Sequence, residues 1–291
     1  MGRTFTAGLA ALAAVLWGAN FNLSKPVLAD MHPLTAAAAR FLIAALVMAA
    51  VALASGARPP FRRHGRAYFL LGLVGIGGFN LMFFYGMQST SAVNGALIMA
   101  TNPLVTALLA VPLLGEQPSR RHMMALPVAL AGVSAVLLGG GAGLALAPGD
   151  ALMLGANLAW ALYNVLVRRL MPPGSGIANT AGVMVMGALV LSAAAVAAGA
   201  PVTLPGPTAA AALAAMAIGG TVLAYLFYNA GIKALGAGRT ALFLNLVPVS
   251  AMAIAAIGGA PPTALQLTGG AITTLAVLGA MMPARKSPLP A

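Results

Sequence analysis

The sequence predicts an all-α integral membrane protein of ten transmembrane helices, arranged as two inverted five-helix repeats. Three observations carry this: long apolar runs, a one-sided distribution of charge, and an internal repeat. Across 291 residues, 61% are hydrophobic and 6% charged, with a mean hydropathy of +0.97. Soluble domains carry roughly a quarter charged residues, so a water-facing surface cannot be built from this chain.

A helix crosses the hydrocarbon core with about 20 residues. Runs near that length lie at about 5–23, 34–55, 67–87, 91–114, 122–140, 149–169, 177–199, 208–231, 239–259 and 264–282. Their punctuation is charge, Pro and Gly. The connections are short, which leaves no room for a soluble domain. Arg3 followed by an apolar run resembles a signal peptide. No small-residue cleavage site ends that run and similar runs follow, so the expectation is an uncleaved first helix. The start MGRTFT fits a myristoylation pattern, read here as a chance match.

The charges test the segmentation. With the N-terminus inside, the cytoplasmic segments hold Arg3, Arg58, Arg62, Arg63, Arg66, Arg120, Arg121, Arg168, Arg169, Lys233, Arg239, Arg285 and Lys286. Lys25 and Arg40 complete the 15 on the outer side. Losing one helix would flip every later loop, so this asymmetry supports ten helices with both termini cytoplasmic. The same topological rule accounts for a pI of 11.6, and no nucleic-acid partner is expected. The absence of Cys excludes disulfides and thiolate chemistry.

The repeat appears when ALIMATNPLVTALLA (Ala96 to Ala110) is set against ALFLNLVPVSAMAIA (Ala241 to Ala255), which superposes Pro103 on Pro248. The same offset of 145 brings Gly86 over Gly231 and Phe83 over Tyr228, and an offset of 143 brings Trp17 over Trp160. The predicted repeats are residues 1–145 and 146–291. Five helices per repeat is an odd number, so the second must be inverted. The loops agree: RPPFRRHGR is basic, whereas its counterpart PVTLPGPT is uncharged. Inverted repeats are a hallmark of secondary transporters, which alternate access around a site near the membrane midplane.

Polar residues then mark candidate site faces. In LWGANFNLSKP, Trp17, Asn20 and Ser24 are spaced by three and then four residues and share one helix face. Helix six offers Asn157, Trp160 and Asn164 with Tyr163 beside them. Helix eight offers Thr221, Tyr225, Tyr228 and Asn229, and helix four Asn94, Thr101 and Asn102. Helix nine offers Asn245, and helix three Phe79 and Phe83. Amides facing lipid are costly, so these faces should turn inward. The plain alternatives are interhelical glue, worth about 0.6 kcal/mol on average, and an interfacial aromatic belt. The Trp pair lies too deep for a belt, which points to cavity lining for a small polar or zwitterionic solute with an apolar portion. Pro103 and Pro248 free backbone carbonyls at equivalent places and are candidate hinges, or packed kinks. Gly75, Gly77 and Gly78 are read as close-packing positions, and Gly139 to Gly143 as a flexible outer loop.

The missing residues also inform. Asp30, Glu116 and Asp150 are the only acids, and with His32, His64 and His122 they are expected at helix ends or loops. No buried relay carboxylate or His is evident, as proton-coupled carriers usually require. Arg40 is the one intramembrane cation. It either meets a carboxylate-bearing solute or snorkels to the outer interface, and the second reading is favoured. No HExxH, P-loop or acid–base cluster supports an enzyme, no filter-like segment supports a channel, and no metal or cofactor is called for.

With the Trp-Gly-plus-Asn pattern of WGANFNLSKP and the Pro-containing ALIMATNPLVTALLAVPLLGE ending in Gly115-Glu116, the whole chain resembles the EamA-type exporters of the drug/metabolite transporter (DMT) superfamily. The second repeat departs from it, with Ala260-Pro261 in place of Gly-Glu, so Glu116 is read as a loop anchor. Aromatic residues and the lack of central charge make the chain similar to the bacterial amino-acid exporters within that superfamily. The resemblance implies a central cavity lined by Trp17, Asn20, Phe79, Phe83, Asn102, Trp160, Tyr163, Tyr228 and Asn245. It further implies a monomeric carrier in the bacterial inner membrane, exporting neutral or aromatic amino acids or similar metabolites. An exporter of amphipathic drugs or dyes is the alternative.

Overall fold

A computed structural model of the chain describes residues 2–115, 120–139, 147–235, 240 and 242–281, and no strand occurs among them. In chain order the helices are α1 (Arg3–Asp30), α2 (Pro33–Ala54), α3 (Phe61–Ser89), α4 (Ala92–Leu114), α5 (Arg120–Gly139), α6 (Pro148–Leu170) and α7 (Gly176–Ala197). Then follow α8, in segments Pro207–Ala214, Ala215–Leu223 and Ala224–Leu235, α9 (Leu246–Ile257) and α10 (Ala264–Met281). Lipid offers the backbone no hydrogen bonds, so spanning segments satisfy it internally as helices. Helices α1–α4 and α6–α8 are long and apolar enough to cross a bilayer, and three shorter apolar helices (Met123–Gly139, Phe243–Ile257, Ala264–Ala280) accompany them. The chain is a multi-pass membrane protein.

Local chemistry sets the ends. Pro33, Pro148 and Pro207 stand in the first turns of α2, α6 and α8, where a missing N–H costs nothing. Ser91 and Ser175 cap α4 and α7 by accepting from the amides of Asn94 (2.9 Å) and Ala178 (3.4 Å). Gly115, at φ +70°, ends α4 in the left-handed conformation that disfavours a side chain.

Two boundaries differ from expectation. Helix α1 runs through Pro26 to Asp30 rather than meeting the surface at Lys25. Helix α3 begins at Phe61 and takes Arg62, Arg63 and Arg66 into its exposed first turns. Arg is a good helix former, so a charge marks where the membrane ends and not where the helix does. Glu116, Gly140 to Gly143, Arg239, Arg285 and Lys286 lie outside the described residues, as do the side chains of His122 and Lys233.

Three helices are irregular. Helices α3 and α8 each contain a π-helical stretch, Leu73–Gly78 and Ala215–Leu223, at corresponding places. Helix α4 breaks at Ala100 and Thr101, just before Asn102 and Pro103, and a 3₁₀ turn Leu242–Asn245 precedes α9, which carries Pro248 in its first turn.

The packing is crosswise. Helix α1 lies against α8 and α9, whereas α6 lies against α3 and α4. Helices α2 and α7 pair, as do α5 and α10. Glycines allow the closest approaches. A Cβ on Gly72 of α3 would sit 2.7 Å from the Gly187 nitrogen of α7, and one on Gly269 of α10 would meet the backbone of Gly132 in α5. Small residues at helix contacts serve the same purpose throughout membrane proteins.

Candidate functional site

The crosswise contacts create two aromatic walls. On the first, Trp17 of α1 meets Tyr225 edge-on at 5.7 Å and Tyr228 at 5.1 Å, both rings from α8. On the second, Trp160 of α6 meets Phe79 of α3 at 5.2 Å and Tyr163, one turn along its own helix, at 4.9 Å. Phe79 continues to Phe83 (5.7 Å), and Phe83 to Phe21 of α1 (5.4 Å). Such offset and edge contacts contribute about 0.5–1.5 kcal/mol each beyond area burial. Trp17, Phe79, Trp160, Tyr163, Tyr225 and Tyr228 are half-buried, whereas Phe83 is 2% exposed and belongs to the packed core.

The π stretches pack closely against α6 and α1. Gly75 lies flat against the Tyr163 ring, and Gly220 lies against the Asn20 amide. Gly75 and Gly220 superpose at the repeat offset, as do Tyr163 and Asn20. Each π stretch therefore receives a side chain from the first helix of the other half. Asn20 donates to the Gly220 carbonyl (3.2 Å), and its Oδ1 is buried with no partner among the described residues.

Arg40 does not snorkel. It is 5% exposed, donating from Nε to Thr221 Oγ1 (3.1 Å) and from Nη1 to Asn80 Oδ1 (3.5 Å), with the guanidinium 5.3 Å from the Phe41 ring centre. Thr221 stands in the α8 π stretch, and Asn80 donates back to Ile76 in the α3 π stretch (2.9 Å). Tyr225 lies within electrostatic reach of both Arg40 and Tyr163. The guanidinium is held inside the helix packing by these polar partners.

The break in α4 is satisfied by amides. Asn157 of α6 donates to the Ile98 carbonyl (3.1 Å) and Thr101 Oγ1 (2.7 Å), and its own Oδ1 accepts from Asn102 (2.7 Å). Asn164 donates to Asn102 Oδ1 (3.0 Å). Asn102, 8% exposed, is thus tied into helix–helix bonding. Asn245 is half-buried at the end of its 3₁₀ turn, which falls on the α4 break at the repeat offset of 145.

Asn94, on the Asn102 face by spacing, joins a different group. Thr90 and Asn94 (3.4 Å) both donate to Asp150 Oδ1, and Gln266 donates to Asn94 Oδ1 (2.8 Å). Asp150 sits in the first turn of α6 as expected, but it is 1% exposed rather than peripheral. Lys25 donates to the carbonyls of Met87 (2.6 Å) and Thr90 at the end of α3. A cavity of about 440 Å³ opens beside these residues, between Asn22, Lys25, Ser91 and Gln266. No group of three His, Cys, Asp or Glu occurs among the described residues in metal-binding reach.

Sequence reasoning named most of both walls and missed Phe21, Asn80 and the burial of Arg40. Phe21 and Asn80 adjoin Asn20 and Phe79 in sequence but face a different neighbour, and only the packing reveals that.

Comparison with known proteins follows the same lines. The EamA-like transporter family matches residues 4–138 and again residues 147–282. The protein named uncharacterized transporter YyaM of Bacillus subtilis (strain 168) is 38% identical over 275 residues, covering 92% of this chain and 90% of its own. An uncharacterized transporter of Archaeoglobus fulgidus is 26% identical over 250 residues, covering 83% and 84%. A solved crystal structure superposes with a TM-score of 0.68 at 22% identity, covering 96% and 97% of the two chains, and so shares the fold.

Proposed function

We propose a function from one premise: the chain belongs to the EamA-like transporter family. Members of that family are transporters, in keeping with a chain that lacks a recognisable acid–base or nucleophilic site. The protein is an inner-membrane carrier that exports neutral or aromatic amino acids, or similar small metabolites, by alternating access. Its ten transmembrane helices form two inverted repeats, 1–145 and 146–291, with both termini cytoplasmic, and the double match to the family supports that division. It works as a monomer in the bilayer.

One observation carries the reading: two half-buried aromatic walls, each built from the first helix of one half and the third helix of the other. Rocking one half against the other changes both walls at once, as alternating access requires. Trp17, Asn20, Phe79, Trp160, Tyr163 and Tyr228 line the site. Phe83 backs it, Asn102 holds the α4 break, and Asn245 lies at the matching turn before α9. Pro103 and Pro248 serve as hinges because both stand beside interruptions. Aromatic rings hold the apolar part of the solute and the amides and hydroxyls its polar part.

Proteoliposomes loaded with labelled leucine or phenylalanine test this. Flux down the gradient is expected, with at least a tenfold loss in Trp160→Ala, comparable to about 1.4 kcal/mol or more of lost site stabilisation. Absence of amino-acid flux with dye transport intact would move the protein to the drug-exporter class. An imposed pH gradient is expected to leave the rate unchanged. Acceleration by it would instead direct attention to Asp150, a carboxylate withdrawn from solvent.

A further inference from the structure

Arg40 is a buried cation with no anionic partner among the described residues. Of its five N–H donors, the protein engages Nε and Nη1, through Thr221 and Asn80. The described acids bond elsewhere: Asp30 accepts from the Gly206 amide, and Asp150 from Thr90 and Asn94. Glu116, the third acid, lies outside the described residues. An arginine keeps its proton, so it cannot escape the cost of burial by becoming neutral. An uncompensated charge in a low-dielectric interior costs more than two hydrogen bonds return. Joining Thr221 to Asn80 requires only donors, which a neutral side chain also offers. The charge needs a different account.

Its position supplies one. The guanidinium stands between the two π stretches, where the halves meet, and within electrostatic reach of Tyr225, whose ring packs on Trp17. Solute sites of inverted-repeat carriers lie at that junction, and π stretches recur at functional sites. Tyr225 brings a hydroxyl within electrostatic reach of this charge, whereas Phe79 and Phe83 are apolar. A molecule with an anionic head and an apolar body matches both.

We propose that Arg40 is the anion-recognition point of the substrate site and pairs with the carboxylate of a solute whose apolar part lies against Phe79 and Trp160. This inference rests on the reading of the aromatic walls as the substrate site. It selects monocarboxylates and zwitterionic amino acids over amines and cationic dyes. A bound carboxylate also supplies what the buried guanidinium lacks, a planar partner for its remaining N–H groups.

The test is ligand-induced thermal stabilisation of the full chain in detergent, which depends on neither flux nor direction. The ligands are L-leucine, 4-methylpentanoate (carboxylate only) and isopentylamine (amine only), with L-phenylalanine, 3-phenylpropionate and phenethylamine as the aromatic set. Carboxylate-bearing ligands are expected to raise the melting temperature and the amines to leave it unchanged. In Arg40→Gln the carboxylates bind at least about tenfold more weakly, as expected for a lost charge-assisted bond. Arg40→Lys keeps a point charge without the fork and loses a few-fold, which decides the matter if the Gln variant does not fold. The proposal is overturned if amines and carboxylates act alike on the wild type, if no carboxylate stabilises it, if Arg40→Gln keeps the carboxylate preference, or if Arg40→Lys binds carboxylates as tightly as the wild type. Carboxylate binding through Arg40 with no leucine or phenylalanine flux in proteoliposomes would sink the amino-acid reading and leave this one standing.

Discussion

The rings that α8 sets beside Trp17 are tyrosines, Tyr225 and Tyr228, whereas those that α3 sets near Trp160 are phenylalanines, Phe79 and Phe83. The two arrangements share their geometry: an indole on the first helix of one half meets rings just past the π stretch of the other. They differ in polarity. The helix breaks differ in a similar way. Asn102, Asn157 and Asn164 tie α4 to α6, but the matching positions against α9 include Ala14 and Val247. There α1 approaches closely through Gly18, against Ser250 and the Val247 carbonyl, and Asn22 donates to the Ala251 carbonyl (3.0 Å). A similar shape thus occurs twice. Single substitutions then give the two copies separate chemistry.

The largest break in this comparison is expected at the glycines of the π stretches. A methyl group on Gly75 would strike the base of the Tyr163 ring, which is anchored near its own backbone, whereas one on Gly220 would strike the amide end of Asn20, which can turn aside. Gly75→Ala should therefore cost about 3 kcal/mol and Gly220→Ala about 1 kcal/mol, the two ends of the overpacking range. Thermal unfolding in detergent reads the difference, and equal losses would show that the two π stretches are not differently constrained.

Next come the amides. Interhelical hydrogen bonds in membranes average about 0.6 kcal/mol, and Asn157 makes three of them. Asn157→Ala should cost about 2 kcal/mol and Asn22→Ala, with one bond, about 0.6 kcal/mol. The same unfolding assay checks both. A loss for Asn22→Ala as large as that for Asn157→Ala would erase the distinction between a tied and an untied break.

The smallest effects sharpen the difference between the walls. Tyr228→Phe makes the first wall resemble the second and should weaken leucine affinity about fivefold, the worth of one net hydrogen bond of about 1 kcal/mol. Phe79→Tyr performs the reverse change, and counterflow of labelled leucine in proteoliposomes measures each. An unaltered affinity in Tyr228→Phe would mean that the hydroxyl faces away from the solute.

Much of this was legible before any coordinates. Apolar run length located the long helices, because bilayer thickness acts on the sequence directly. The register of Pro103 on Pro248, and of Trp17 on Trp160, exposed the repeat. What composition does not encode is which helix faces which. Asn94 and Asn102 share a spacing yet serve different groups, since the break at Ala100 and Thr101 lies between them. Phe83 reads like Phe79 but is enclosed by Phe21 and Phe84. Arg40 near a helix end looks like a snorkelling residue, and only the polar groups contributed by α3 and α8 hold it inside. Asp150 is similar, since its burial depends on Thr90 and Asn94 arriving from two neighbouring helices.

The knot of Asn102, Asn157 and Asn164 has an electrical consequence. A transmembrane voltage acts on net charge, about 2.3 kcal/mol per elementary charge per 100 mV. These amides carry none, and they do not titrate. A rearrangement of the broken helix would therefore move no gating charge through this knot, and a transmembrane voltage would exert no direct pull on these amides.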